Sequence, residues 1–192
     1  MTFDRWPQPE TLRAAPDYTI GQLQAAMAEG QILTGQAVRC DAALNLHIRL
    51  GALSGIMPRG ECVAPFLSGA QREIAVLSCV GRGVCCRVTG QRTAPNGDTE
   101  LLLSRRLAQE EAMDYIEAHA EPGLVIPAQI THLAPFGAFA DIGCGVVALL
   151  PLASGALLLL SKRSLDTGAV PRENVGERGV PGKVRALNIA RM

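Results

Sequence analysis

Two phenylalanines, Phe136 and Phe139, stand three residues apart in a stretch that reads PFGAFAD. Residues i and i+3 project from opposite faces of a regular strand, so alternation alone would expose only one ring. Gly137 allows a bulge that places both rings on one side. Two adjacent exposed rings would form a platform on which unpaired bases stack, each worth about 1–3 kcal/mol. The alternative is that both rings belong to the hydrophobic core.

No other residue pattern is typical of an active site. The sequence has three histidines and contains no P-loop, no H-E-x-x-H and no G-x-S-x-G segment. Asp141 and Asp166 stand apart from other carboxylates, and the run Gly143–Gly145 favours a turn over a nucleotide loop. The six cysteines never form a C-x-x-C pair, which disfavours zinc and predicts reduced, partly buried thiols. We therefore predict no enzyme activity, no cofactor and no metal.

The formal net charge of zero conceals an uneven distribution of charge along the chain. Residues 29–107 contain nine basic and six acidic side chains, and residues 123–192 contain seven and four, a net charge of +3 each. Residues 108–122 between them contain five acidic side chains and no basic one. Sixteen of the 18 basic residues are arginine, which binds phosphate and stacks on bases. Genomic base composition would explain that excess equally well.

Composition and length favour a folded protein outside the membrane. Apolar residues make up 48% and charged residues 19% of a chain of 192 residues, enough for one medium or two compact domains. The first nine residues lack the apolar stretch of a secretory signal. The longest apolar run, Val146–Leu160, is interrupted by Pro151 and Gly155 and is shorter than the roughly 20 residues of a membrane span. We expect a soluble cytoplasmic protein.

The elements that would position the phenylalanines occur twice along the chain. Two short strands separated by a turn are predicted at 32–41 and 44–50, and the same pattern returns at 124–133 and 136–142. A shift of 92 residues aligns the two stretches. This internal repeat predicts two copies of one small β module.

The first copy continues to a complete five-stranded pattern, which describes an oligonucleotide-binding (OB) type barrel. In the second copy Pro181 and Gly182 interrupt the fourth strand, predicted at 180–187, and we expect no fifth strand after Ile189. The remaining elements of the first copy are a third strand beginning at 55–57, a helical crossing at 69–77, a fourth strand at 84–89, a hairpin turn at 95–98 and a fifth strand at 99–104.

Two further helices are predicted, at 20–28 before the first copy and at 105–119 between the copies. The second of them contains most of the acidic connector. The predicted domain organisation is an N-terminal extension with a short helix at 1–28, a first OB domain at 29–107, an acidic helical linker at 108–122 and a second OB domain at 123–192.

The stretch from Gly123 to Leu152, which reads GLVIPAQITHLAPFGAFADIGCGVVALLPL, resembles the S-one RNA-binding repeat. This OB-fold module is named after protein one of the small ribosomal subunit, and its members show a glycine-led first strand, an F-G-A-F-V-D motif and a glycine turn. The first copy resembles a diverged member through residues 30–59 and through LLLSRR at 101–106. The resemblance implies an all-β fold with connecting helices, in which two five-stranded S-one barrels follow each other and the second is incomplete.

The resemblance also implies which residues contact RNA. Phe136 and Phe139 match the base-stacking aromatics, with His132 on the preceding strand, and Pro151 occupies a position where many members have histidine. The first copy has Leu44 and His47 at the stacking positions, and leucine stacks poorly, so we expect weaker binding there. The cations implied for phosphate contact are Lys162, Arg163, Lys183 and Arg185 in the second copy, and Arg49, Arg59, Arg87 and Arg105 in the first.

The function that the resemblance implies is the binding of single-stranded messenger RNA in translation. The implied partner besides RNA is the 30S ribosomal subunit, with no membrane and no metal. The alternative is a protein-docking module of a ribosome-associated or ribonuclease-associated complex.

Overall fold

The computed structural model describes residues 6–10, 15–51, 53–63, 69–94, 97–121 and 124–151, together with the backbone of 157–159, 181–185 and 189–190. The chain divides into two compact units. The first unit comprises residues 10–111, and the second comprises residues 6–9 together with the chain from Ala112 onward. The division falls within one continuous helix, at the point where the acidic connector was predicted.

The first unit opens with helix α1, Ile20–Glu29, whose ends are set by local sequence signals. Thr19 and Gln22 form a capping box, in which each side chain accepts a hydrogen bond from the backbone of the other residue. Gly30 ends the helix in the left-handed conformation (φ 66°), which glycine adopts without steric cost. The predicted helix at 20–28 is therefore confirmed.

Five strands close into a barrel around the core of the first unit. Around the barrel the strands follow the order β1-β2-β3-β5-β4, in which β3 and β5 are parallel, consistent with an OB-type barrel. The strands and helices are β1 Ile32–Cys40, β2 Leu46–Leu50, β3 Leu53–Met57, α2 Gly69–Leu77, β4 Gly83–Thr93, β5 Thr99–Ser104 and α3 Arg105–His119.

The inward side chains of these strands alternate with outward ones, as the predicted patterning requires. On β2, Leu46, Ile48 and Leu50 are buried, whereas His47 is half-buried and Arg49 is exposed. The sequence predicted α2, β5 and α3 with the bounds that the structure shows. The fold class is thus confirmed for the first unit as a strand-rich barrel with helical connections.

The second unit contains one sheet of six strands in the order β10-β6-β7-β8-β9-β11. Among the described strands this sheet is open, so a second closed barrel is not shown. The final strand, of two residues, lies parallel to β9, whereas the sequence led us to expect no strand after Ile189. The strands are β6 Val125–Ala134, β7 Gly137–Asp141, β8 Val147–Pro151, β9 Leu157–Leu159, β10 Pro181–Arg185 and β11 Ile189–Ala190.

The pairing of strands reproduces the internal repeat, with a shift of 93 residues on the first strand of each copy and of 92 on the second. His47 of β2 lies opposite Arg39 of β1, and Phe139 of β7 lies opposite His132 of β6. A bulge interrupts β1 between Ala37 and Arg39, and the matching bulge interrupts β6 between Ile130 and His132. The strand order β4-β1-β2-β3 in the first unit corresponds to β10-β6-β7-β8 in the second.

In the helices of the described residues we find no segment that is both long enough and apolar enough to span a bilayer.

Candidate nucleic-acid interface

Three rings meet on one side of the β6–β7 pair in the second unit. The ring centroids of His132 and Phe139 lie 5.8 Å apart, with an interplanar angle of 30°. The rings of Phe136 and Phe139 lie 6.1 Å apart and are nearly perpendicular, at 87°. All three side chains are half-buried, so none of them belongs to the fully buried core. We call Phe136, Phe139 and His132 the ring cluster.

The two phenylalanines share a side because of a turn, and not because of the bulge that we predicted at Gly137. Phe136 lies in the two-residue turn between β6 and β7, so the alternation of a strand does not govern its side chain. The bulge lies instead at Thr131 of β6, whose Oγ1 donates a hydrogen bond to the carbonyl oxygen of Phe139 (3.2 Å). A bulge re-aims the side chains beside it, here His132.

Gly137 has a different role from the predicted one, because it permits β7 and β8 to approach closely. A Cβ atom at this position would collide with the carbonyl oxygen of Leu150 and lie 2.9 Å from Cα of Pro151. Pro151 is the direct partner of Gly137 across the two strands. Pro151 therefore packs against this glycine.

The connection from β7 to β8 is held by a buried carboxylate. Asp141 Oδ1 accepts hydrogen bonds from the N–H groups of Gly143 (2.9 Å) and Gly145 (3.1 Å), an arrangement that stabilises tight turns. The N-terminal stretch contributes two more bonds, since Trp6 Nε1 donates to the carbonyl of Ile142 and Cys144 N donates to the carbonyl of Gln8, both at 2.9 Å. The predicted turn is confirmed, and Asp141 is a structural residue.

The cations assigned to the ring cluster lie largely beyond what the structure describes. The chain has no lysine or arginine between Arg106 and Lys162, so the ring cluster itself provides only His132 as a group that can be cationic. Lys162 and Arg163 lie outside the described residues. Lys183 and Arg185 belong to β10 and face Pro127 and Val125 of β6 in the strand register. The register therefore places both on the strand adjacent to β6.

The first unit has a polar cluster at the position equivalent to the ring cluster. Arg39 Nη2 lies 3.2 Å from His47 Nδ1, and His47 Nε2 lies 3.3 Å from Asp41 Oδ2. Oε1 of the buried Glu100 lies 4.0 Å from Nδ1 of His47. Oε2 of Glu100 forms an ion pair with Nη2 of Arg92 at 2.7 Å. The two stacked rings of the second unit are thus replaced by an arginine and a histidine beside two carboxylates.

Hydrogen bonds keep Asp41 in its ionised form. Its pKa lies below the ordinary value, first because the backbone N–H of Asn45 donates to Oδ1 (2.9 Å). The Asn45 amide, His47 and the N–H of Ala43 lower the pKa further, against a smaller opposing effect of burial. Asp41 is therefore an anionic group of this polar cluster.

Three of the four arginines suggested for the first copy are engaged with carboxylates. Arg59 pairs with Glu73 (2.9 Å) and Arg87 with Glu111 (3.2 Å), both partly exposed. Arg105 is 8% exposed; it donates to both oxygens of Glu10 at 2.7 Å, and its Nη1 donates to the carbonyl of Cys62. Arg105 therefore has a structural role in this unit. Arg49 is exposed on β2.

Sequence reasoning did not identify the N-terminal residues that support these units. Glu10 accepts from Arg105, 95 residues away, and also from the N–H of Cys85. Trp6 Nε1 donates a hydrogen bond to the carbonyl oxygen of Ile142, which is 136 residues away in sequence. No local pattern signals such pairings, because only the folded chain brings the partners together.

In comparisons with known proteins, no family model and no curated protein matches the chain.

Among the residues that the structure describes, no three histidine, cysteine, aspartate or glutamate side chains are arranged to hold a metal ion.

Proposed function

We propose that the chain binds single-stranded RNA through the ring cluster of its second unit, as a tandem S-one-type protein acting in translation. The observation that carries this proposal is the contact of three half-buried rings, His132, Phe139 and Phe136, at one end of the β6–β7 pair. Rings of this kind offer faces on which unpaired bases stack with little dependence on base identity. Binding requires no turnover and no cofactor.

The geometry of the rings indicates how a strand would lie. The ring planes of His132 and Phe139 are roughly parallel, whereas the ring of Phe136 is nearly perpendicular to that of Phe139. Bases stacked on the two phenylalanines would therefore lie in planes that differ by about a right angle. A flexible single strand can follow such a path, and a rigid duplex cannot, because its bases are already stacked in parallel planes.

The finer description of the fold belongs to this proposal. The first unit has the strand order and the helical crossing of an OB barrel, and the second shares its register through β6, β7, β8 and β10. We infer that both units descend from one S-one-type module and that the first has lost its stacking rings. The small ribosomal subunit, where messenger RNA is held, is the partner that this function implies.

The decisive experiment replaces Phe139 with leucine, which keeps an apolar side chain but removes the aromatic face. Labelled single-stranded RNA is titrated with the wild type, with Phe139→Leu and with Phe136→Leu, and the Kd is compared. Each lost stacking contact should weaken binding by about 1–3 kcal/mol, or roughly five- to 150-fold in Kd.

The matched control is Leu133→Ala. Leu133 is next to His132 on β6 and is 64% exposed, but it points to the other face of the strand. The Kd of the Leu133→Ala variant for RNA should equal that of the wild type. Unchanged affinity in both phenylalanine variants would refute the ring cluster as the RNA-binding site.

A further inference from the structure

Four large apolar side chains lie exposed together on the first unit. Their exposed fractions are 51% for Val38, 63% for Ile74, 51% for Leu77 and 38% for Val80. Ile74 and Leu77 are neighbours on the surface of α2, at i and i+3. We call these four residues the apolar patch.

Backbone hydrogen bonds place the two parts of the apolar patch side by side. The N–H of Val80 donates to the carbonyl of Leu77, which continues the turn after α2. The N–H of Gly81 then donates to the carbonyl of Ala37 (2.8 Å), and the N–H of Ala37 donates to the carbonyl of Arg82 (2.9 Å). Val38 and Val80 therefore flank the point where β1 meets the segment that follows α2.

The exposure of Val38 follows from the bulge in β1. Val38 is the extra residue between Ala37 and Arg39, and a bulge turns such a side chain away from the regular alternation. The equivalent bulge residue of the second unit is Thr131, which bonds internally to the carbonyl of Phe139. The bulge residue of the second unit, Thr131, is therefore polar and bonds within its own unit. The bulge residue of the first unit, Val38, is apolar and exposed to solvent.

Positive charge borders the apolar patch. Arg39 follows Val38, Arg82 is two residues beyond Val80, and both are exposed. Within the described part of the chain, neither arginine forms an ion pair, although Arg39 Nη2 also lies 3.2 Å from Nδ1 of His47. The one carboxylate that adjoins the patch in sequence, Glu73, is already paired with Arg59 at 2.9 Å.

We propose that the apolar patch is a docking site for an acidic segment of a partner protein that carries at least two large apolar side chains. The apolar side chains would cover Ile74, Leu77, Val80 and Val38, and the carboxylates would pair with Arg39 and Arg82. Burial of the patch removes apolar surface from water, and the two arginines select for a negatively charged flank. This inference concerns the first unit and does not depend on the proposed RNA-binding function of the second.

The chemistry of the apolar patch favours a protein over RNA or a membrane. It has no aromatic ring on which a base could stack. Helices that lie in a membrane surface are rich in Lys and Arg along a long polar face, with Trp, Phe or Leu opposite. The nine residues of α2 include a single basic residue, Arg72, and its Nη2 donates a hydrogen bond to the carbonyl of Gly60. A short apolar surface with a few cations at its edge is typical of a protein interface.

The first test identifies what covers the apolar patch in the cell. The photoreactive residue p-benzoylphenylalanine replaces Leu77 in the full chain, the cells are irradiated, and the cross-linked peptide is sequenced after nuclease treatment. We expect a protein segment with net negative charge and two or more large apolar residues. Cross-linking to RNA, to lipid, to a second copy of this chain or to a basic segment overturns the proposal, and so does the absence of a cross-link above the level obtained with the same residue at Ile20.

The second test measures the contribution of each part of the surface. The cross-linked segment is synthesised with a fluorescent label and titrated with the wild type, with Ile74→Ser/Leu77→Ser and with Arg82→Glu. We expect Kd to rise by at least about tenfold in each variant, and the effect of Arg82→Glu to shrink as salt is raised. Ile20→Ser, which alters a side chain that is 59% exposed on α1, should leave Kd unchanged.

The outcomes separate this proposal from the one for the ring cluster. Ile74→Ser/Leu77→Ser should bind single-stranded RNA as the wild type does, because the altered side chains lie in the first unit. Phe139→Leu should bind the labelled segment as the wild type does. Equal affinity of the wild type and Ile74→Ser/Leu77→Ser for the segment would refute docking at the apolar patch, whatever the RNA titrations show.

Discussion

At the scale of single residues, burial decides what an ion pair contributes to this protein. The side chains of Arg105 and Glu10 are 9% and 12% exposed, and the same carboxylate also accepts the N–H of Cys85. The pair of Arg59 and Glu73 has a single contact of 2.9 Å, and its side chains are 48% and 46% exposed. Solvent screens the second pair, whereas removal of one partner from the first leaves a poorly solvated charge.

We therefore predict that Glu10→Gln destabilises the protein far more than Glu73→Gln. The expected losses in the free energy of unfolding are about 3 kcal/mol for Glu10→Gln and at most about 1 kcal/mol for Glu73→Gln. Urea denaturation of the two variants and the wild type, followed by circular dichroism, measures both. Equal losses would show that burial does not distinguish the two pairs.

A second residue-scale observation concerns thiol chemistry. Burial raises the pKa of Cys62 to about 12, and it raises the pKa values of Cys79 and Cys40 as well. The thiols therefore stay protonated at neutral pH, which agrees with the sequence-based expectation of reduced cysteines that act as small apolar side chains.

At the scale of elements, the β6–β7 hairpin decides whether the ring cluster exists. Strand alternation would separate Phe136 from Phe139, and the turn that contains Phe136 brings them together. The bulge at Thr131 and the close approach at Gly137 then fix the strands on either side. The ring cluster is therefore a property of the hairpin and its neighbour β8, and not of the two phenylalanines alone.

This dependence predicts the effect of Gly137→Ala. The added Cβ would meet backbone atoms of Leu150 and Pro151, which cannot move aside as the end of a flexible side chain would. We expect a loss of about 1–3 kcal/mol in stability, together with weaker binding of single-stranded RNA. Thermal unfolding and RNA titration measure the two effects.

The control for this prediction is Gly60→Ala, since a Cβ at Gly60 would have nothing within 4 Å. Its stability and RNA affinity should match those of the wild type. A Gly137→Ala variant with wild-type stability and wild-type affinity would mean that β7 and β8 tolerate a wider spacing.

At the scale of the whole molecule, the distribution of charge limits what electrostatics can contribute to the proposed RNA binding. The stretch from residue 123 to the end has a net charge of +3, from seven basic and four acidic residues, and its described part provides no lysine or arginine next to the rings. The preceding connector, 108–122, has a net charge of −5. If RNA binds as proposed, few of its phosphates would be neutralised, and stacking would supply most of the affinity.

We predict a shallow dependence of RNA affinity on salt, with a slope of log K against log salt concentration on the order of −1 to −3. The double variant Lys183→Ala/Arg185→Ala should reduce the magnitude of that slope. Phe139→Leu should lower the affinity and leave the slope unchanged, because it removes no charge. Titrations from about 50 to 200 mM salt measure all three, and a slope much steeper than −3 would contradict a stacking-dominated interface.

The elements and their repetition could be predicted from local patterns in the amino-acid sequence. The bounds of α2, β5 and α3 agree with the prediction, because capping residues, hydrophobic periodicity and turn residues act within a few positions along the chain. The repeat was visible for the same reason, and its register appears in the strand pairing. The ring cluster was anticipated in its members, since PFGAF is a local motif.

The contacts between side chains that are far apart in sequence could not be predicted, because they form only in the folded chain. Arg105 was suggested as a phosphate contact, yet it is buried against Glu10, a partner 95 residues away. Closure also depends on distant partners, because the first sheet closes through the parallel pair of β3 and β5, whereas the described strands of the second form an open sheet. Local interactions specify strands and turns, but the pairing of their edges and the burial of charge depend on the whole folded chain.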